Sequence, residues 1–372
     1  MLITIILLYL LGNLYVFWRL WTMMPPNALG YASLIAFASV AILSLFIFFL
    51  AGDSMPVALS SFFYAVGSSW LFILLYFFII LSVNDLIGLS NKLLHFMPSD
   101  ALTRYTKDNW IGLIFIAGFV TMLMLCGYMK YQWKVRVGIP IQTEKSLGDR
   151  ESLRIVAISD LHLGYGIGRS EFEDWISMIN NEKPDLIIIA GDIIDNSMRP
   201  LNEQKMYESF RTLEAPLGIY SCLGNHEYIS GAKECMDFMD KAGITLLRDN
   251  YIEVDSSLCI IGRDDRSNRN RKSLETLTEG LDKSKYTILL DHQPFDIDAP
   301  SNNGIDLSFF GHTHQGQVWP VSLITKKMYQ LDHGHKKIGQ TDVIVSSGIG
   351  IWGGKFRIGT QSEYIVIDIT RK

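Results

Sequence analysis

Histidine is scarce in this chain, with eight among 372 residues. Yet FFGHTHQGQ sets His312 and His314 a single residue apart, between Gly311 and Gly316. Each imidazole has two ring nitrogens that need partners, so a buried pair makes poor filler. Neutral imidazoles directed at a metal ion are one use for such a pair; a surface turn is another. The same chemistry recurs at four other places. LRIVAISDLHLG ends in Asp160 and His162, PDLIIIAGDIIDN in Asp192 and Asp195, GIYSCLGNHEY in Asn225 and His226, and YTILLDHQP in Asp291 and His292. Each is a short apolar run that gives way to Asp, His or Asn. Runs of this kind bounded by Gly and Pro read as buried strands, and in sheets layered with helices the C-terminal strand edge is where ligand sites form. A solvated loop accounts for one polar strand end. Five in order, offering only oxygen and imidazole donors, predict one converging site.

The elements that must position these residues follow from the remaining pattern. Helical periodicity at 170–182 and 202–214 lies between the strands, and CIIGRDD, DVIVSSGIGIW and EYIVIDIT supply further strands. Alternation in YQWKVRVGIPI, from 131 to 141, predicts that the first sheet begins there and that any linker is short. Residues 1–133 are different in kind, with five Lys/Arg and four Asp/Glu, whereas 134–372 carries 28 and 34. Four runs, about 2–18, 29–50, 57–82 and 110–129, contain no charged residue. A helix needs about 20 apolar residues to cross roughly 30 Å of hydrocarbon, and each run reaches or approaches that length. Trp18, Trp21, Trp110 and Trp133 mark their ends, where amphipathic rings favour the headgroup layer. The first run lacks the basic start and small-residue cleavage pattern of a signal peptide.

The predicted organisation is a transmembrane domain at 1–130, a short connector with a first strand at 131–152, and a soluble domain at 153–372. Four spans put both termini on one side. Arg19, Lys92, Arg104 and Lys107 in other loops nearly balance the positive-inside count, and the cluster Lys130, Lys134 and Arg136 at the last exit tips it towards a cytoplasmic C-terminal domain. Cys126, Cys222, Cys235 and Cys259 show no disulfide framework or metal spacing, which fits a reducing compartment. There is no dense basic patch, so nucleic-acid binding by charge is not expected.

Asp-x-His, then GDIID, GNHE, His292 and GHTH, in that order, resemble the calcineurin-like metallophosphoesterase superfamily over roughly 153–372. GHTHQGQ followed by SSGIG resembles its bacterial membrane-associated branch, which often reads Gly where this chain has Gln315. With the four apolar runs, the expected architecture is an N-terminal four-helix transmembrane bundle followed by a four-layer α/β/β/α sandwich, the fold the resemblance implies for 153–372. The resemblance implies two divalent metal ions (Mn, Fe or Zn), one held by Asp160, His162, Asp192 and His314, the other by Asp192, Asn225, His292 and His312, with Asp192 bridging. It implies hydrolysis of a phosphodiester or pyrophosphate by metal-activated hydroxide. His226 would then stabilise the transition state or protonate the leaving oxygen, and Asp195 would support a ligand.

Asp291 reads either as a supporting residue or as a strand-end cap, and Glu227 as the organiser of the GNHE turn. His333 and His335 read as surface residues, and His95 as a loop residue without catalytic role. GRDDRSNRNRK at 262–272 is either a solvated loop or a grip on a phosphate or anionic headgroup. A tethered site meets lipid headgroups at high effective concentration. The expectation is therefore a multi-pass enzyme of the bacterial inner membrane acting on a lipid-linked phosphoester, comparable with the UDP-diacylglucosamine diphosphatases of the superfamily. The alternatives are a phosphodiesterase on a soluble nucleotide-type substrate and a non-catalytic metal-binding membrane scaffold or sensor. Protein phosphatases usually follow GD-x-x-D with Arg-Gly, where this chain has Asn196 and Ser197.

Overall fold

A computed structural model describes residues 2–98 and 109–372, which form two compact units dividing between Tyr128 and Met129. In the first lie α1 (Leu2–Met23), α2 (Ala28–Ala51) and α3 (Val57–Leu94), while α4 (Trp110–Gln132) runs into the start of the second. All four are long and apolar enough to cross a membrane. Three of them outrun the charge-free stretches, α1 taking in Arg19, α3 taking in Asp85 and Lys92, and α4 taking in Lys130. Arg19 and Asp85 are paired with each other. Arg19 Nη2 lies 2.9 Å from Asp85 Oδ1, and the Tyr15 hydroxyl donates to the other Asp85 oxygen at 2.8 Å. Ionisable groups in such helices need partners of this kind. Arg104 and Lys107, part of the orientation argument, lie outside the described residues.

The second unit is built from two six-stranded sheets. Its strands are β1 (Lys134–Thr143), β2 (Ser152–Ile158), β3 (Leu186–Ala190), β4 (Ile219–Cys222), β5 (Thr245–Leu246), β6 (Asn250–Glu253), β7 (Leu258–Gly262), β8 (Tyr286–Leu290), β9 (Leu307–Phe310), β10 (Gly334–Ile338), β11 (Thr341–Val345) and β12 (Ser362–Arg371). One sheet runs β1-β12-β2-β3-β4-β5 and the other β10-β11-β9-β8-β7-β6. β1 pairs in parallel with β12, so the expected connector already belongs to a sheet.

The two-residue alternation of strands sorts the apolar side chains into layers. Ile155, Ala157, Ile188 and Ala190 face the other sheet and meet Ile260, Ile288, Leu290 and Phe309. Val156, Ile158, Ile187 and Ile189 face outward onto Phe172, Trp175 and Ile179 of α5 (Arg169–Asn181). Single-turn helices at Leu274–Thr278 and Ala299–Asn302 cover the far side of the second sheet through Leu274, Leu277 and Ala299 against Ile261 and Leu289. The architecture is thus four-layered, with a thin outer layer over the second sheet. The helical pattern at 202–214 is not one helix: Lys205 takes a left-handed backbone (φ 50°) and divides it into Arg199–Glu203 and Met206–Phe210.

Candidate metal centre

Every predicted strand end delivers its polar residues to one edge of the sheet pair. β2 stops two residues before Asp160, β3 two before Asp192, β4 three before Asn225, β8 two before His292 and β9 two before His312. The backbone there is unusual. Asp160 (φ 55°), His162 (46°), Asp192 (51°), His312 (71°) and His314 (48°) all adopt the left-handed conformation. For residues with a Cβ this costs of the order of 1–2 kcal/mol each, and it persists only where the surroundings over-determine it.

Those surroundings are visible. The buried Glu227 carboxylate accepts the N–H groups of Asp192 (3.0 Å), Ile193 (2.7 Å), Ile194 (3.0 Å) and Gly224 (2.7 Å), clamping the GDIID loop to the GNHE turn. The two loops touch at Gly191 and Gly224: a Cβ on Gly224 would stand 2.2 Å from Asp192 Oδ1. Gly311 is a matter of clearance as well, since a Cβ there would meet Asp160 Oδ2 at 2.4 Å. The left-handed turns that aim the two imidazoles are taken by His312 and His314 themselves.

The side chains gather into two overlapping groups. In the first, His162 Nε2 lies 3.0 Å from His314 Nε2, 3.9 Å from Asp160 Oδ1 and 3.8 Å from Asp192 Oδ2. In the second, His292 Nε2 lies 3.0 Å from the same Asp192 Oδ2 and 3.2 Å from Asn225 Oδ1, with His312 completing the cluster. The other Asp192 oxygen accepts the His226 N–H at 2.8 Å, and both Asp160 oxygens accept the His312 N–H. His292 Nδ1 faces the Ala190 carbonyl at 2.7 Å and so must donate to it. Its Nε2 is then a lone pair facing two oxygen acceptors, an arrangement that requires a proton or a cation between them.

The electrostatics say the same thing. Burial opposes a charge on His292, yet Asp192 holds its pKa well above the usual imidazole value. A metal ion meets that demand for positive charge, and carboxylate, amide oxygen and imidazole suit Mn, Fe or Zn. The donor set fits divalent metal.

The remaining imidazoles differ by environment. Burial and the neighbouring His292 push His312 down to about 4, and burial together with His162 and Arg357 pushes His314 well below its ordinary value, so both offer neutral nitrogens. His226 goes the other way: burial opposes its charge, but Asp192 and Asp195 lift it to about 9. Asp195 Oδ1 lies 3.3 Å from His226 Nδ1 and 3.5 Å from His162 Nδ1, and the Asp195 carbonyl lies 2.5 Å from His226 Nδ1. Burial resists ionisation of Asp195, yet these two histidines hold its carboxyl down to about 2.

Other readings fare differently. Asp291, read as a supporting residue or a strand-end cap, is buried between Arg263 (3.3 Å) and Arg271 (3.2 Å). The basic stretch therefore spends much of its charge internally, and Arg248, from outside it, is held by Asp264 at 2.8 Å. Arg266 is exposed and lies 4.6 Å over the Phe295 ring. Phe295 meets Tyr329 at 5.0 Å, and Tyr329 stands 6.4 Å from His312, so an aromatic wall leads from that arginine to the cluster. His333 is not a plain surface residue, because its Nε2 lies 3.0 Å from the buried Glu363 carboxylate; the exposed His335 pairs with Asp342 at 2.8 Å.

Arg357 escaped sequence reasoning altogether. Its buried guanidinium, whose pKa burial lowers to about 10, donates to the carbonyls of His314 (2.8 Å), Ser347 (2.6 Å) and Gly350 (3.1 Å). It ties the GHTH loop to SSGIG. Arg357→Met takes this donor from the buried Ser347 and Gly350 carbonyls, while the His314 carbonyl keeps the Gln317 N–H at 2.9 Å, at a cost of about 3 kcal/mol. A fall in Tm of roughly 10 °C is expected for a unit of this size, read by circular dichroism melting; an unchanged Tm would show that water replaces the guanidinium.

Comparison with known proteins now bears on the geometry. The profile of the calcineurin-like phosphoesterases matches residues 153–316. A metallophosphoesterase of Aquifex aeolicus is 33% identical over 240 residues, covering 62% of this chain and 90% of that protein. The chain belongs to the calcineurin-like phosphoesterases. Other relatives are longer. A Campylobacter jejuni metallophosphoesterase is 30% identical over 229 residues, 60% of each chain. A transmembrane protein with metallophosphoesterase domain from Danio rerio is 30% identical over 243 residues, covering 61% of this chain and 55% of that protein. The chain thus spans a little over half the length of these last two.

For a calcineurin-like phosphoesterase of this branch, Gln315 has a structural meaning. It takes a left-handed backbone (φ 53°, ψ 29°), where Gly carries no Cβ penalty. Gln315→Gly is expected to be tolerated and to raise Tm by about 2 °C, as relief of roughly 1 kcal/mol of strain is partly offset by added chain entropy. A lowered Tm would mean that the Gln315 side chain itself supports the loop.

Proposed function

We propose that this chain is a membrane-anchored dinuclear-metal phosphoesterase that cleaves a phosphodiester or pyrophosphate bond in a lipid-linked substrate. The observation that carries this reading is Asp192 Oδ2, a single carboxylate oxygen within 3.8 Å of His162 Nε2 and 3.0 Å of His292 Nε2, common to both donor groups. Asp160, His162, Asp192 and His314 are the ligands of one ion, and Asp192, Asn225, His292 and His312 those of the other. Bound divalent ions supply Lewis acidity and a hydroxide nucleophile near neutral pH.

The protein's own groups do the rest. His226 is the catalytic acid: Asp195 and Asp192 keep it protonated and the Asp195 carbonyl fixes its Nδ1, which leaves Nε2 to hydrogen-bond the leaving oxygen. Asp195 positions His162 and His226 together. Phe295, Tyr329 and Arg266 form the wall against which the rest of the substrate lies. The lipid-linked assignment is supported by the four apolar helices and by a relative named as a transmembrane protein. We place the chain in the bacterial inner membrane with the metal centre on the cytoplasmic side.

Full-length protein in lipid nanodiscs, assayed with Mn²⁺ and then with EDTA, tests the reading. Metal-dependent hydrolysis of a lipid-linked pyrophosphate or phospholipid is the expected result. Turnover of nucleotide esters but never of lipids would replace the substrate with a soluble one. Absence of both bound metal and aryl phosphodiester hydrolysis would leave a scaffold.

A further inference from the structure

The helix that follows the GHTH loop is inside out. This helix, α6 (Val321–Met328), contains no buried residue. At 100° per residue, Val321, Ser322 and Thr325 turn towards the domain, where Ser322 packs against Gly316 and the Thr325 hydroxyl pairs with Asp332 at 3.1 Å. Leu323, Ile324 and Lys327 turn away from the domain, Met328 lies at the edge beside Val321, and the three apolar ones are 58%, 56% and 62% exposed. A surface helix of a soluble protein points its apolar stripe at the core; this one points it away. The patch continues past the helix. Trp319 and Trp352 are 48% and 44% exposed. Their segments are joined, because the Gln317 side chain donates to the Trp352 carbonyl and the Trp319 N–H donates to the Ile358 carbonyl. Contiguous exposed apolar surface marks an interaction site.

Two observations identify what covers it. First, α4 ends at Gln132 and β1 begins at Lys134, so a single residue, the exposed Trp133, separates an apolar helix of membrane-spanning length from the first strand. One residue reaches less than about 4 Å, so the end of the domain where β1 starts is the end attached to α4. Second, the patch lies at that end. The Tyr131 hydroxyl donates to Glu171, the other Glu171 oxygen takes Lys355, and Lys355 lies 5.8 Å from the Tyr131 ring, three residues beyond Trp352. The start of β1 is paired with Ser362, just after this segment. The chemistry matches a headgroup layer as well. Tryptophans favour the membrane boundary, and lysines on an apolar helix face are attracted to anionic lipid, each contributing about 1 kcal/mol.

We propose that Trp319, Trp352 and the Leu323–Ile324–Met328 face of α6 seat the phosphoesterase domain in the headgroup layer of an anionic bilayer. This inference rests on the membrane-anchored reading of α1–α4 and not on any catalytic step. It places the loop carrying His312 and His314 beside the lipid surface, since α6 begins seven residues after His314.

The test uses the full chain in phosphatidylcholine nanodiscs containing phosphatidylglycerol, with a nitroxide on one cysteine at a time. Cys126 in α4 is exposed and the other three cysteines are buried, so the native chain carries the lipid reference. Cys126→Ser/Ile324→Cys reads the patch, and Cys126→Ser/Glu279→Cys reads an exposed site on the single-turn-helix side. Relaxation by oxygen, which partitions into lipid, is compared with relaxation by a water-soluble nickel chelate. The label at 324 should share the oxygen-dominated pattern of Cys126, and the label at 279 should show the reverse. A nickel-dominated label at 324 beside an oxygen-dominated Cys126 overturns the docking alone. A nickel-dominated Cys126 overturns the membrane reading beneath it. Spin–spin broadening at 324 would mean that a second copy covers the face, which also overturns the proposal.

Discussion

Asp192→Ala should abolish hydrolysis and strip the protein of at least one of the two metal equivalents proposed for it. The oxygen it deletes lies within 4 Å of both His162 Nε2 and His292 Nε2, so neither donor group survives intact. The loss also removes the acceptor of the His226 N–H and the counter-charge that keeps His292 protonated without metal. Loss of a single transition-state donor typically costs 10²–10³ in rate, and removal of a shared ligand disturbs several, so a decrease of more than about 10³-fold is expected. Mass-spectrometric metal analysis beside a rate assay checks both halves. Two retained equivalents with near-normal rate would show that Asp192 does not join the groups.

His226→Ala should divide those two readouts. No donor of either proposed ligand set is lost, so both metal equivalents should remain. What disappears is an imidazole that Asp192 and Asp195 hold protonated and that the Asp195 carbonyl fixes in orientation. Positioned proton transfer is worth about 10²–10⁴ in rate, and a drop of that size at unchanged metal content is the expected result. The penalty should shrink for a substrate whose leaving group, such as p-nitrophenolate, needs no proton. An equal loss on both substrates would point to positioning instead, and loss of metal would make His226 a ligand, together with His162 and Asp195, whose donor atoms lie close enough to share an ion with it.

The chain of strand ends was readable because two strong local signals coincide, an apolar β-branched run and an abrupt change to Asp, His or Asn. β2, β3, β4, β8 and β9 all stop within three residues of where that change occurs. The part that resisted reading has physical reasons. Arg357 sits in GGKFRIGT, where nothing marks one arginine as destined for burial; its partners are carbonyls, which every residue possesses. The left-handed backbone of His312 and His314 is imposed by tertiary clamps rather than by residue type, and only one of the flanking glycines, Gly316 (φ 73°), shares it. Phe295 and Tyr329 come together from segments 34 positions apart. The pattern at 202–214 promised one helix because periodicity counts side chains and cannot register a backbone reversal at Lys205. α6 was missed because its apolar stripe is short and faces outward.

The left-handed candidate ligands also constrain how such a site can decay. Asn and Asp tolerate that backbone far better than branched or bulky residues, so at Asp160 and Asp192 an Asn is conformationally cheap while a Val would fight both the turn and the chemistry. A lineage drifting away from metal binding therefore has a narrow exit: single-atom changes that erase charge while the loops keep their shape. Descendants that leave by it would retain the fold, the clamp at Glu227 and the tethered surface, and would differ from a working phosphoesterase by an oxygen exchanged for a nitrogen.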